Sequence, residues 1–396
     1  MSCRLAYVFD EALAAYDFGR EHPLSPIRQR LTNALVHEFG ILEQDNVSEV
    51  THIKPVRGPI LRRTHDDDYI AAVTACSDGV TTAELRGLGT PDVPVFLDMH
   101  RAASLICGAS VAAVESVLTG NFDHGVNISG GLHHAMPDRA AGFCVYNDAS
   151  IAIQWLLDAG FERVAYIDVD AHHGDGVQES FYEDPRVMTI SIHESGRSLF
   201  PGTGPASDCG GPGAEGTCVN IELRAATSDS DWIRAFEAVV PDAIAAFKPQ
   251  FIVSQQGCDS HRNDPLTNLM LSVDAQRWSY ERIHQLSHEH CDGKWVALGG
   301  GGYDWPEVVP RAWTHLVAIA AGNPIAPDTA VPQSFRDLVF ELSGVESPET
   351  MGDGVHLIIR EFDGHLDPMS QLDRSILKTR EAVFPHLGLK ADPHGF

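Results

Sequence analysis

Residues 164–176 read VAYIDVDAHHGDG. An apolar, β-branched run passes at once into a polar loop that carries Asp, His and Gly. VAYIDV is apolar on both faces rather than alternating, as a strand covered by helices on each side of a parallel sheet should be. The pattern recurs along the chain. VNIS (126–129) leads into GGLHHAMPD, VMTISI (187–192) into HESGRSLFPGTG, FIVSQ (251–255) into QGCDS, and WVAL (295–298) into GGGGYD. LAYVF (5–9) and CVNIEL (218–223) add two more strand candidates. Helical patterns at 102–118, 149–159, 230–247 and 274–290 lie between them. Ser272 is positioned to cap the last of these. Pro241 is expected to split or kink the third. Strand–helix alternation predicts an α/β fold: a single domain with an open parallel sheet flanked by helices. In such sheets ligands bind outside the carboxyl ends of the strands, so five polar loops converge on one crevice.

The chain has 396 residues, 43% of them hydrophobic, enough for one large α/β domain. Residues from about 325 onward contain PDTAVPQ and SPETMGDG. They read as a C-terminal extension (325–396) with some helix, packed on the 1–324 domain. The net charge is -27, from 28 basic and 55 acidic residues, and only five of the basic ones are lysines. Such a surface repels nucleic acid and anionic lipid and accommodates cationic, lysine-rich partners. No run of about 18 apolar residues marks a membrane span. Asp10 and Glu11 interrupt the start where a signal peptide needs an apolar stretch, so a cytoplasmic location is expected. Eight cysteines are scattered without a C-x-x-C pair, so they read as reduced packing thiols and a cysteine zinc site is not expected.

The densest chemistry is Asp168-Val169-Asp170-Ala171-His172-His173-Gly174-Asp175. In an extended segment i and i+2 share a face, which would turn Asp168, Asp170 and His172 toward one site. Asp170 and His172 are suited to Zn²⁺, and Asp259, just past another strand end, supplies a third ligand. Three protein ligands leave a position open for water, the catalytic arrangement. His133 and His134 follow Gly130-Gly131 and are candidates for proton transfer, with Asp168 and Asp175 available to orient them. Tyr303 follows four glycines and can donate to a developing oxyanion.

GGLHHAMPDRAAGFCVYND, YIDVDAHHGDGVQE, SIHESGRSLFPGTG, QGCDSHRNDPL and LGGGGYD, with YDFGREHPLSPIRQRL near the start, together resemble the zinc-dependent histone deacetylase family. GLGTPDVPVF and DSHRNDPLTNLML look most like its bacterial acetoin-utilisation branch. The resemblance spans about residues 14–322 in order. It implies an arginase/deacetylase-like domain that hydrolyses the acetamide of acetyl-lysine, or another acyl-lysine, on protein or peptide substrates. It implies one Zn²⁺ on Asp170, His172 and Asp259, with His133 and His134 as the acid/base pair backed by Asp168 and Asp175. Tyr303 matches the carbonyl-polarising tyrosine. Phe143 and Phe200, with Gly142, match the walls of the acyl-lysine tunnel, Asp92 the rim residue that binds substrate backbone, and Arg28 an arginine behind the metal. Asp168, Asp170, His172, Ser191 and Ile192 match the family's inner K⁺ site.

Two positions depart from the family pattern. Cys258 stands where a small Ala is usual. Leu266 lies along the substrate path where polyamine-deacetylating relatives place a Glu, which favours an ordinary acyl-lysine tunnel over a small-molecule amidohydrolase of acetylpolyamine type. A dinuclear manganese ureohydrolase needs a second Asp two residues after Asp259, where His261 stands. A catalytically silent acyl-lysine binder would be marked by loss of Tyr303, His133 or His134, all of which are present.

Overall fold

The seven expected strands form, and an eighth joins them. The computed structural model describes residues 3–80, 86–359 and 362–394. Its strands are β1 (Leu5–Val8), β2 (Val47–Val50), β3 (His124–Asn127), β4 (Val164–Asp168), β5 (Val187–Glu194), β6 (Cys218–Leu223), β7 (Phe251–Gln255) and β8 (Trp295–Leu298). They make one sheet in the order β2-β1-β3-β8-β7-β4-β5-β6, with every pairing parallel. β2 escaped the sequence pattern because it is an edge strand, VSEV, whose Ser48 and Glu49 are exposed.

The two-sided apolarity of the central strands has its counterpart in the packing. Ala165 and Ile167 of β4 enter one core layer with Trp232, Phe236, Tyr280 and Trp313, while Val164 and Tyr166 enter the other with Ile106, Ile153 and Leu156. The helix Asp229–Phe247 is continuous through Pro241, against the expected split. Proline removes one backbone hydrogen bond. Here the buried face of Trp232, Phe236, Val240 and Ile244 holds the helix together. Ser272 does cap Val273–His290, accepting from Ala275 N at 3.2 Å. One helix among the described residues, Met99–Leu118, is long and apolar enough to cross a membrane by length and composition. It packs on β1, β3 and the helix Asp148–Asp158.

Two helices of the C-terminal segment, Gln333–Ser343 and Gln371–Val383, lie against the rest of the chain. Phe335 and Val339 pack with Leu31 and Leu35, while Ile376, Val383 and Phe384 enter the core layer above β6. Asp353 ties this segment down. Its Oδ2 accepts from His261 Nε2 at 2.8 Å and Val273 N at 3.0 Å, and its Oδ1 from Arg311 Nη2 at 2.9 Å. Burial raises the Asp353 carboxyl, but the His261 hydrogen bond and the Arg311 charge outweigh it and hold it well below the usual carboxylate range. A depressed carboxyl contributes stability above its unfolded value of about 3.9, and loses it as pH falls toward the folded one. Asp353→Asn is expected to cost about 2 kcal/mol at neutral pH. The difference from wild type should shrink below about pH 4. Denaturant midpoints across pH measure this, and an unchanged midpoint at pH 7 would show that the clamp contributes nothing.

Candidate active site

The carboxyl ends of β3, β4, β5, β7 and β8 deliver the polar loops to one place. β4 stops at Asp168, earlier than the extended segment expected through His172. Beyond it, side chains hold the backbone: Asp168 Oδ1 accepts from Asp170 N at 3.1 Å, and Asp170 Oδ1 from His172 N at 2.9 Å. The chain therefore bends, and Asp168 parts company with the other two.

Asp170 and His172 meet Asp259 from the β7 loop. His172 Nδ1 lies 3.1 Å from Asp170 Oδ1 and 2.9 Å from Asp259 Oδ2, and one ligand atom from each residue falls within 4.8 Å of the others. All three are buried. The outer oxygens are anchored: Asp170 Oδ2 accepts from Gln255 Nε2 at 2.7 Å and Gly301 N at 2.8 Å, and Asp259 Oδ1 from Ala171 N at 2.8 Å. A Cβ at Gly301 would fall 2.1 Å from Asp259 Oδ2, so only glycine lets the β8 loop approach this closely. Burial and the Asp170 carboxylate push Asp259 up to about 6. Two buried carboxylates facing one imidazole nitrogen fit a divalent cation, whose charge relieves their repulsion. Cys258, buried, points its thiol at Gly301 O at 3.7 Å.

Asp168 turns instead to the histidine pair. His133 Nδ1 donates to Asp168 Oδ2 at 2.8 Å, His134 Nδ1 to Asp175 Oδ1 at 2.7 Å, and the two Nε2 atoms face each other at 3.0 Å. Tyr166 donates to Asp168 Oδ2 at 2.8 Å. Burial lowers His133, but Asp168 and Asp170 outweigh it and raise it to about 9. Burial and the charge of His133 lower His134 to about 4. One imidazole is thus charged and the other neutral at pH 7. Their loop is fixed from below by Asp148, which accepts from Leu132 N at 2.8 Å, Gly131 N at 3.0 Å and Ser110 Oγ at 2.5 Å.

Tyr303 lies beside the cluster, its ring 5.7 Å from Phe143 and beneath the Arg28 guanidinium. Arg28 is buried and donates to Gly300 O at 3.0 Å and Gly302 O at 2.7 Å. Phe143 holds a left-handed backbone, φ 65°, and Tyr16 donates to its carbonyl at 2.7 Å. Phe200 packs edge-on to His134 at 5.0 Å and remains 47% exposed. At Gly142 a Cβ would meet the His134 ring at 2.2 Å. Asp92 Oδ2 accepts from Gly142 N at 2.8 Å. Leu266 is half-buried, and its N donates to Asp264 Oδ1 at 2.9 Å. On the far side of the metal cluster, β4–β5 register sets Asp168 opposite Ser191, with Ile192 buried next to it and Ser191 Oγ 2.9 Å from His193 Nδ1.

Three residues that hold this arrangement were not singled out from the sequence: Asp148, Gln255 and Asp264. Asp264 Oδ2 accepts from Tyr303 N at 2.8 Å, which fixes the backbone beneath the phenol. Burial and the Asp259 charge raise Asp264 to about 8. Asp264 stands in the quoted QGCDSHRNDPL, but its partner lies 39 residues on, and no local pattern marks it.

Comparison with known proteins agrees with this geometry. A family model described as the histone deacetylase domain matches residues 22–320. The chain belongs to the histone deacetylase family. It is 41% identical to the acetoin utilization protein AcuC of Bacillus subtilis (strain 168), over 84% of this chain and 89% of that one. It is 36% identical to AcuC of Staphylococcus aureus (strain Mu50), over 82% and 83%. Among solved structures, an HDAC homologue from Aquifex aeolicus superposes with a TM-score of 0.80 at 26% identity, covering 95% of this chain and 99% of that one. An HDAC homologue complexed with SAHA gives 0.79 at 26%, covering 96% and 100%.

The pair's unequal protonation predicts unequal roles. A base must be neutral, so His134 works above about pH 4, and turnover falls as pH drops through that value. His133 is expected to contribute as a cation, and that contribution should fade as pH rises through about 9. His134→Ala should lose roughly 10²–10⁴-fold in kcat. His133→Ala should lose less and flatten the alkaline limb. Both profiles are read by turnover of an acyl-lysine peptide, with metal content checked. A His134→Ala enzyme that kept high activity while His133→Ala lost it would reverse the assignment.

Proposed function

We propose that this protein is a zinc-dependent lysine deacetylase that hydrolyses the acetamide of acetyl-lysine on protein or peptide substrates, giving lysine and acetate. The observation that carries the reading is the buried Asp170–His172–Asp259 cluster set beside a histidine pair in which each ring is backed by its own carboxylate. Family membership supports the same chemistry.

A dication on Asp170, His172 and Asp259 would supply Lewis acidity to the amide carbonyl and to water. His134, its Nδ1–H held by Asp175, takes a proton from the attacking water at Nε2 once that nitrogen gives up its contact with His133 Nε2, and returns it to the departing lysine nitrogen. His133, charged and held by Asp168, sets a positive field beside the reaction. The Tyr303 hydroxyl donates to the developing oxyanion. Phe143 and Phe200, with Gly142, flank the acyl-lysine stem. Asp92 spends one oxygen on Gly142 N and offers the other to substrate backbone amides. Leu266 places an apolar side chain where an acid would select polyamines. Potassium is assigned to the space between Asp168, Asp170, His172, Ser191 and Ile192. The net charge of -27 favours lysine-rich protein segments over nucleic acid as substrates.

Purified protein should turn over a fluorogenic acetyl-lysine peptide, lose that activity with a chelator and regain it with Zn²⁺. Tyr303→Phe should keep fold and metal and lose roughly 10²–10³-fold in kcat. A trifluoroacetyl substrate, already electrophilic, should suffer less. Full activity in the presence of chelator, or in Tyr303→Phe, would overturn the reading.

A further inference from the structure

The opposite end of the sheet carries a second convergence of ligating side chains. Cys3 precedes β1, His124 opens β3, and His284 and His288 stand four residues apart near the end of the helix Val273–His290. The register of β1 on β3 pairs Leu5 with His124, which brings Cys3 alongside. One ligand atom from each of the four residues lies within 4.8 Å of the other three. Cys3 Sγ is 3.5 Å from His284 Nε2 and 3.6 Å from His288 Nε2, and those nitrogens are 3.1 Å apart. Around a tetrahedral ion with bonds of about 2.05 Å to nitrogen and about 2.3 Å to sulfur, ligand atoms sit about 3.3 Å apart for N–N and about 3.6 Å for N–S. The three separations among Cys3, His284 and His288 match those of such a shell.

His124 distinguishes a site from a packed cluster. Its Nδ1 donates to Ala320 O at 2.7 Å, which fixes the tautomer and leaves the lone pair on Nε2. The residue is fully buried, and Nε2 has no hydrogen-bond partner among the described residues. Packing alone would leave this buried acceptor unsatisfied. An imidazole whose other nitrogen is held by a backbone carbonyl is oriented as metal-binding histidines are.

We propose that Cys3, His124, His284 and His288 form a second metal site, structural in role, that takes Zn²⁺. Four protein donors complete a tetrahedral shell and leave no open position, which separates it from a catalytic centre. One thiolate and three imidazoles select a borderline-soft transition ion over Ca²⁺ or Mg²⁺. The ion fastens the residue before β1 to the start of β3 and to the helix that covers them.

Cobalt substitution of the full-length protein tests this. The catalytic cluster contains no sulfur ligand, so a thiolate–cobalt charge-transfer band reports the second site alone. Metal-free protein titrated with Co²⁺ should develop that band with the strong visible bands of tetrahedral cobalt. The thiolate band should be missing in Cys3→Ser and in His288→Gln. Zn²⁺ should raise the thermal midpoint of Asp259→Asn, in which the catalytic cluster is broken, and this rise should vanish when His288→Gln is added. If Cys3→Ser does not fold, His288→Gln, at a half-buried position, carries the comparison. Cobalt uptake by wild type without the thiolate band, or a band that persists in Cys3→Ser, would overturn the proposal.

Discussion

Charge compensation inside the sheet's carboxyl end governs this molecule. Asp168, Asp170 and Asp259 lie at no more than 1% exposure, and among the described residues no lysine or arginine hydrogen-bonds to any of them. Burying such charges unpaired is prohibitive. The chain meets the demand with backbone N–H groups, histidine rings, Tyr166 and Gln255, and leaves the residual charge for a cation. These partners come from β4 and from the carboxyl ends of β3, β7 and β8. The parallel order β3-β8-β7-β4-β5 is therefore a condition for the site.

That demand also explains the unlike histidines. His133 and His134 are neighbours in sequence and face each other at 3.0 Å, so both cannot carry a proton on the facing nitrogens without strong repulsion. Asp168 and Asp170 settle the proton on His133, and His134 stays neutral beside Asp175. Spacing alone does not rank the pair, because the ranking lives in which carboxylates the fold brings to each ring.

Legibility in the sequence followed the range of the interaction. Seven strands were readable because both faces of a buried strand are apolar. β2 was not, because its outward residues Ser48 and Glu49 make it look like a loop. Asp170, His172 and Asp259 were readable because metal-ligating residue types cluster at strand ends. Asp148, Gln255 and Asp264 were not, because each holds a backbone group or side chain distant in sequence. Pro241 does not split its helix, because the buried face offsets the local backbone cost. No local spacing announces the Cys3 cluster, because Cys3 lies 281 residues from His284 and meets it only through the β1–β3 register and the helix above.

The two ends of the sheet then differ in a way their donors dictate. At the carboxyl end, two carboxylates and one imidazole would neutralise a dication yet leave coordination positions free, and backbone N–H groups on the outer carboxylate oxygens would keep the ligands in place. At the amino end, the proposed donors are one thiol and three rings, with no carboxylate among them. Neutral rings lower the cost of burial, and four donors close the shell, which suits an ion meant to remain bound. The amino ends of β1 and β3 sit where a βαβ sheet has no ligand crevice, since its loops there are short and packed. An ion at that end would join β1 to β3 and the covering helix, whereas the same element at the carboxyl end would be open to substrate.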